Sequence, residues 1–435
     1  MAKNTTINYR NQVMYSVFVR NYSSEGTFEG VRRDLHRIKE LGVDVIWLLP
    51  IHPIGEKCRK GSLGSPYAIR DYRAVNPEYG TLEDFTRLVD DIHKVDMKCI
   101  IDVVYNHTSP DSWLAEHHPE WFYHKSDGSF GNRVAEWYDV IDLDYSQPGL
   151  WDYQIETLKQ WAAIVDGFRC DVAPLVPLDF WLRAREEVEQ VRPGCLWLSE
   201  SVEPGFIVES RANGIPMLSD SEIFQAFDVS YEYDIFDWFR DYHTGKIPLS
   251  RYAEAINQQE FIYPANYVKL RYLENHDNPR AAFMIPDEAM LINWTSFVYL
   301  QKGMTLIYAG QEVEAAHCPG LFDKDTIVWE TGKNLSDLLK ALGEIKKNPL
   351  LTDSRYEVCA LPNDILYACH RAGERQLIGI FSLRGKHSLV LVNVPDGRYT
   401  NLIDGSEVEV CAGRLPCCGK PVIFEAQYRN HENCV

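Results

Sequence analysis

The 435-residue sequence predicts an α/β fold: a closed (β/α)8 barrel with a short inserted domain after its third strand and a C-terminal antiparallel β domain. Three observations carry this. Up to about residue 345, continuous apolar runs alternate with amphipathic stretches, the pattern of a parallel sheet covered by helices. At least seven such units recur, which favours a closed barrel over an open sheet. Beyond residue 350 the pattern changes to short β-rich runs separated by turn residues. The boundaries read as 1–349 for the barrel, 108–141 for the insertion and 350–435 for a β-sandwich domain.

The elements follow in order. "MYSVFV" (14–19) reads as a strand, and "EGVRRDLHRIKELG" (29–42) as one helix stopped by glycine. "VDVIWLLP" (43–50) is a buried strand, "LEDFTRLVDDIHKVD" (82–96) a helix, "KCIIDVVYN" (98–106) a strand and "DYQIETLKQWAAIV" (152–165) a helix. "GFRCDV" (167–172), "CLWLSE" (195–200), "VKLRYLEN" (268–275) and "MTLIYAG" (304–310) are further strands. "SPDSWLAEHHPEWFYHKSDGSFGNR" interrupts the alternation and marks the insertion. "YEVCAL", "ILYACHR", "LIGIFSL", "SLVLVNV" and "KPVIFEA" form the C-terminal β domain.

Composition narrows the function. Hydrophobic residues are 45% and charged residues 25%, ordinary for a globular chain. A net charge of −19 argues against nucleic-acid and anionic-membrane partners, which need basic surfaces. The 11 Trp and 24 Tyr supply core packing, and flat rings also suit the flat faces of sugars. The 11 cysteines are odd in number and irregularly spaced, which reads as reduced thiols in a cytoplasmic protein. The opening residues show no signal-peptide pattern, and no run has the length of a membrane span.

In a (β/α)8 barrel, chemistry sits at the C-terminal ends of the strands. Strand 3 ends with Asp102, Asn106 and His107; strand 4 carries Arg169 and Asp171; strand 5 ends at Glu200; strand 7 ends with His276 and Asp277. Singly, such a carboxylate reads as a helix cap and such a histidine as a structural residue. Convergence of four strand ends points to a site. Arg169 and Asp171 lie two apart, so on one face of a buried strand, where each needs a partner. Two carboxyl groups flanking a bond are the equipment of glycoside hydrolysis. Arg169 beside Asp171 would hold it ionised as a nucleophile. Glu200, closing the apolar run "LWLS", is placed for a raised pKa and the part of acid.

These residues resemble the conserved regions of the α-amylase family of retaining glycoside hydrolases, glycoside hydrolase family 13. "DVVYNH" (102–107), "GFRCD" (167–171), "WLSE" (197–200) and "ENHD" (274–277) resemble its first four regions, and "IDLD" (141–144) its fifth. "GSPYAIRDYRAVNPEYGT" (64–81) resembles the stretch bearing a sugar-stacking tyrosine, here Tyr67. The resemblance implies Asp171 as nucleophile, Glu200 as acid/base, with Glu203 as competitor, and Asp277 as transition-state stabiliser. Tyr67, His107, Arg169 and His276 would line the reactive subsite, Asp102 would bond within it, and Asp323 would belong to a distal sugar clamp. The substrate would be an α-glucan oligosaccharide or polysaccharide, cut at α-1,4 bonds by double displacement.

The chain also departs from the pattern. "APL" (173–175) stands where many members carry Lys-His, "FDKDTIVW" (322–329) lacks the clamp arginine, and the wider "GEVW"-type context is missing around Glu200. No cofactor is required. Calcium stays open, with Asn106 and Asp142 as candidate ligands. Val172 after the nucleophile leaves α-1,4 and α-1,6 linkage both open. The alternatives are an α-glucosidase or oligo-1,6-glucosidase, a glucan transferase, or a non-catalytic sugar-binding protein on this fold.

Overall fold

The computed structural model describes residues 4–134 and 137–428. Eight parallel strands close into a barrel: β1 (Val13–Val17), β2 (Val45–Leu48), β3 (Lys98–Val103), β4 (Gly167–Cys170), β5 (Leu196–Ser199), β6 (Val229–Tyr231), β7 (Lys269–Arg271) and β8 (Met304–Tyr308). Each strand lies beside its neighbours in sequence, and β8 returns to β1. Every strand residue except Lys98 is buried, which is why these segments read as continuous apolar runs and not as alternating ones.

The strand the sequence hides is β6. It has three residues with Ser230 in the middle, so it presents no apolar run to detect. The helix expected over 29–42 is two pieces, Phe28–Arg32 and Leu35–Glu40. They part at Asp34, whose carboxylate accepts from the Tyr22 hydroxyl at 2.8 Å. The next helix, Leu82–Lys94, starts on a reciprocal cap between Thr81 and Asp84 and buries Phe85, Leu88, Val89 and Ile92. Pro148 opens the helix Pro148–Ala162, where its missing N–H has no partner to lose.

Chain contacts define two compact units. One holds the residues up to Thr5 together with 14–234 and 317–328; the other holds 6–13, 235–316 and 329 onward. In the first, Trp47, Trp181 and Trp197 are fully buried, and a short ribbon pairs His107–Thr108 with Ile141–Asp142. In the second, β9 (Arg355–Leu361), β10 (Ile365–Ala372), β11 (Arg375–Ser382) and β16 (Val422–Gln427) form an antiparallel sheet in the order β9-β10-β11-β16. Two ribbons accompany it: β12 (His387–Leu391) with β15 (Arg414–Cys418), and β13 (Gly397–Thr400) with β14 (Glu407–Val410). Ile365, Ile378, Ile380, Val390, Leu415 and Phe424 are among the residues that form its core. Three of these strands, β13 to β15, are short and partly exposed, and the apolar pattern does not mark them. Nine of the described cysteines, among them the buried Cys99, Cys170 and Cys195, are free thiols. Among the described residues no helix is long and apolar enough to cross a membrane.

Candidate active site

One buried guanidinium organises the strand ends. Asp102 on β3 and Arg169 on β4 are direct partners in the sheet register. Arg169 Nη1 donates to Asp102 Oδ1 at 2.8 Å and to Asp171 Oδ1 at 2.9 Å. Its Nη2 pairs with Glu200 Oε1 at 3.0 Å, and its Nε donates to the Tyr231 hydroxyl at 3.2 Å. The rings of Trp47, Tyr67 and Tyr231 lie 5.2, 5.7 and 5.4 Å from the guanidinium carbon. The partners that a buried Arg169 and Asp171 require are thus two further carboxylates and an aromatic cage.

Exposure sorts the three carboxylates. Asp102 is 0% exposed, whereas Asp171 and Glu200 keep 7% and 8% open. Asp102 Oδ2 also accepts from the Tyr67 hydroxyl at 3.2 Å and Trp47 Nε1 at 3.3 Å. It is therefore sealed behind the pair that can meet a ligand. Burial pushes the Asp102 carboxyl up, to about 7, against the pull of Arg169, and the nearby Glu200 charge adds to the rise. Burial works to lower Arg169, but Asp102 and Glu200 outweigh it and hold the guanidinium well above its usual value.

Asp171 follows the last residue of β4, its N–H bonded to the Val103 carbonyl at 2.9 Å. The chain then turns sharply: Val172 sits at φ 33° and ψ 45°, a conformation rare for a β-branched residue. This turn aims the Val172 N–H at Glu200 Oε2, 2.8 Å away. Nucleophile and acid candidates are therefore joined by one backbone amide as well as by Arg169. Glu203 stands at the N-cap position of the helix Pro204–Ala212, whereas Glu200 pairs with Arg169, so Glu200 is the glutamate at the cluster.

His107 is buried, and burial lowers its pKa to about 4, so its ring is neutral at neutral pH. Asn106 Nδ2 donates to its Nδ1 at 3.1 Å, Trp137 packs on the ring at 5.4 Å, and Nε2 stands 3.8 Å from Asp171 Oδ2. In the second unit, His276 and Asp277 follow β7. The His276 side chain is 1% exposed and its Nε2 lies 3.1 Å from Asp277 Oδ2; the Asp277 side chain is 40% exposed. Asn275 Oδ1 accepts from the Asp277 N–H and Asn278 Nδ2, and a buried Glu274–Arg280 pair at 2.6 Å pins the loop. Asp323 stands apart from the Arg169 cluster, exposed, with Oδ1 accepting from the Ser62 N–H and hydroxyl.

Trp47, Tyr231, Trp137 and the Val172 amide escaped the sequence reading. Trp47 is masked by its apolar run and Tyr231 by its short strand.

The candidate calcium ligands are bonded within the chain itself. Asp142 accepts from Asn132 Nδ2 at 3.2 Å and the Arg133 N–H at 2.7 Å. Asn106 is engaged with His107, and the Arg133 guanidinium bonds the Leu143 carbonyl next to Asp142. Among the described residues no group of three or more His, Cys, Asp or Glu side chains gathers that could hold a metal.

Comparison with known proteins shows the family. The model of the α-amylase catalytic domain matches residues 8–139 and 110–353, and that of the bacterial α-amylase C-terminal domain matches 357–424. The chain belongs to the α-amylase family. It is similar to the crystal structure of an α-amylase from Lactobacillus plantarum, 49% identical over 97% of this chain and 100% of that one, with a TM-score of 0.95. A maltogenic α-amylase (AmyB) from Thermotoga neapolitana is 32% identical over 97% and 99% of the two chains, with a TM-score of 0.86. An α-1,4-glucan:maltose-1-phosphate maltosyltransferase from Rhodospirillum rubrum is 29% identical over 78% of this chain and 51% of its own length. The chain spans about half the length of that curated relative.

Proposed function

We propose that this protein hydrolyses α-1,4 bonds of maltooligosaccharides or starch with retention of configuration. The observation that supports the reading most is the single guanidinium shared by Asp102, Asp171 and Glu200 at three successive strand ends. Asp171 attacks the anomeric carbon while Glu200 gives its proton to the glycosidic oxygen. The carbon–oxygen bond breaks, and a glycosyl ester forms on Asp171. Glu200 then takes a proton from water, the water oxygen attacks the same carbon, and the ester opens. The Glu200 oxygen that carries the proton is one that accepts from Val172 N–H or that pairs with Arg169 in the resting site. One of those contacts therefore opens as the substrate oxygen arrives. Arg169 holds Asp171 ionised, and Asp102 balances Arg169 from behind. Neutral His107, Tyr67, His276 and Asp277 take the subsite roles that the family resemblance implies.

A product time course from maltoheptaose tests this. Maltooligosaccharides shorter than the substrate are the expected result, and an unchanged heptaose refutes it. Glucan transfer is the second reading, favoured by the maltosyltransferase relatives. A sugar hydroxyl then replaces water, and products longer than the substrate appear.

Calcium has no part in this proposal. A bound ion at free concentration c stabilises the folded state by RT ln(1 + c/Kd). EDTA is therefore expected to leave both the Tm and the rate unchanged, to within about 1 °C in Tm. Arg133→Ala, which removes the bond to the Leu143 carbonyl, is expected to lower the Tm by about 1 °C through loss of about 1 kcal/mol. A Tm lowered by EDTA and restored by calcium would show that the ion is needed after all.

A further inference from the structure

A second cluster, linked to the carboxylates only through Tyr67 and Trp137 among the described residues, takes no part in bond breaking. It joins three loop segments, 60–64, 137–139 and 320–323. The Lys60 ammonium pairs with Asp139 at 2.7 Å and lies over the rings of Tyr138 at 5.0 Å and Phe322 at 5.6 Å. Asp323 accepts both donors of Ser62, at 2.8 and 2.6 Å. The Phe322 carbonyl accepts from the N–H groups of Leu63 and Gly64, at 3.0 and 3.1 Å. Gly61 is at φ +62°, and a Cβ there would stand 2.6 Å from that carbonyl oxygen, so a side chain would force the segments apart.

The clasp is anchored from below and from both ends. Arg20, only 2% exposed, donates to the carbonyls of Gly64 (3.0 Å), Leu321 (3.2 Å) and Leu63 (3.3 Å) and pairs with Glu78 at 3.3 Å. One end continues within three residues to Tyr67, which bonds Asp102. At the other, Trp137 packs on His107, whose Nε2 is 3.8 Å from Asp171. The side chains of Tyr138 and Phe322 are exposed, at 64% and 38%, but the buried, multiply bonded guanidinium beneath them and the glycine-dependent close approach hold the segments together.

Topology says which end of the substrate meets the clasp. The acid protonates the glycosidic oxygen, so the leaving, reducing-end part of the glucan lies on the Glu200 side. Glu200 follows β5. In a ring of eight sequential strands, β1 is diametrically opposite β5 and β2 is next to β1. Arg20 follows β1, and the 60–64 loop follows β2. The clasp therefore stands on the donor side, where the chain runs on toward its non-reducing end.

We infer that this clasp closes the donor end, so that the enzyme trims α-glucans from their non-reducing chain ends instead of cutting within the chain. The inference rests on the hydrolase reading above and adds the direction of attack.

The test compares maltoheptaose with maltoheptaose whose non-reducing O4 and O6 carry an ethylidene group. The wild-type protein should cleave the free heptaose and cut the capped one at least tenfold more slowly. Lys60→Ala, and Asp139→Asn as a second variant should the first fail to fold, should raise the capped-to-free rate ratio at least fivefold. Equal wild-type rates on the two substrates overturn the closed donor end and leave the hydrolase reading standing. An unchanged ratio in a folded variant overturns the assignment of the Lys60–Asp139 latch. Cleavage of neither substrate by the wild type overturns the hydrolase reading and, with it, the inference built upon it.

Discussion

Asp171→Asn is expected to lose about 10⁴-fold or more in kcat, on the scale seen when a covalent nucleophile is removed, while the protein stays folded. The amide oxygen can still accept from Arg169 Nη1 at the place of Asp171 Oδ1, so the buried guanidinium keeps a partner there. What disappears is the anion that forms the bond to carbon. The assignment becomes sharper with an activated donor, α-maltosyl fluoride, and azide as an external nucleophile. In Asp171→Gly, azide enters from the face that Asp171 vacates: the carbon–nitrogen bond forms, fluoride leaves, and the product is the inverted β-azide. In Glu200→Gly the covalent intermediate still forms, azide opens it, and the product is the α-azide. Reversed product configurations would exchange the two roles, and full activity in Asp171→Asn would end the mechanism outright. Circular dichroism and a Tm within about 1 °C of wild type, about 1 kcal/mol or less of lost stability, separate a chemical loss from an unfolded protein.

The carboxylate cluster was legible because each member interrupts a hydrophobic run at its end. A charged residue there has a high burial cost, so it stands out against Val, Ile and Leu. The pairing of Arg169 with Asp171 follows from strand periodicity alone. The residues that complete the cage carry no such contrast. Trp47 lies inside "VIWLL" and is indistinguishable there from core packing, although it faces Arg169. Tyr231 belongs to a strand of three residues, below the length at which an apolar pattern declares itself. Arg20, in "VFVRNY", reads as the polar end of a strand, and its work under the 60–64 and 320–323 loops depends on contacts 44 and 301 residues away. Long-range closure of that kind leaves no local periodicity. The turn at Val172 is hidden for the opposite reason. A β-branched residue is a poor guess for positive φ, and only the need to place its N–H against Glu200 accounts for the exception.

Arg169→Met is expected to cost both stability and nearly all turnover, with a pH signature that tells the two apart. Removing one member of a buried charge cluster leaves uncompensated carboxylates and costs about 3–5 kcal/mol, a fall in Tm of about 3–6 °C for a chain of this size. Lysine should not restore it. The guanidinium serves Asp102, Asp171, Glu200 and Tyr231 through three nitrogens at once, which a single ammonium cannot do. The sign of the pH effect follows from Asp102, whose carboxyl is held at about 7 in the folded protein by burial even with Arg169 present. A carboxyl raised above its unfolded value near 4 binds more proton folded than unfolded in the interval between the two. Its favourable contribution is complete below the unfolded value and is lost as pH rises through the folded one. Without Arg169 that folded value moves higher still, and the neighbouring carboxylates lose their cation as well. The wild-type and Arg169→Met stabilities should therefore lie closest near pH 5 and separate progressively toward pH 8. Thermal unfolding measured across that range decides the matter. Parallel curves would mean that Arg169 contributes packing against Trp47, Tyr67 and Tyr231 and does not neutralise the cluster. Diverging curves, with activity absent at every pH, would identify its charge as what permits three carboxylates to share one buried site.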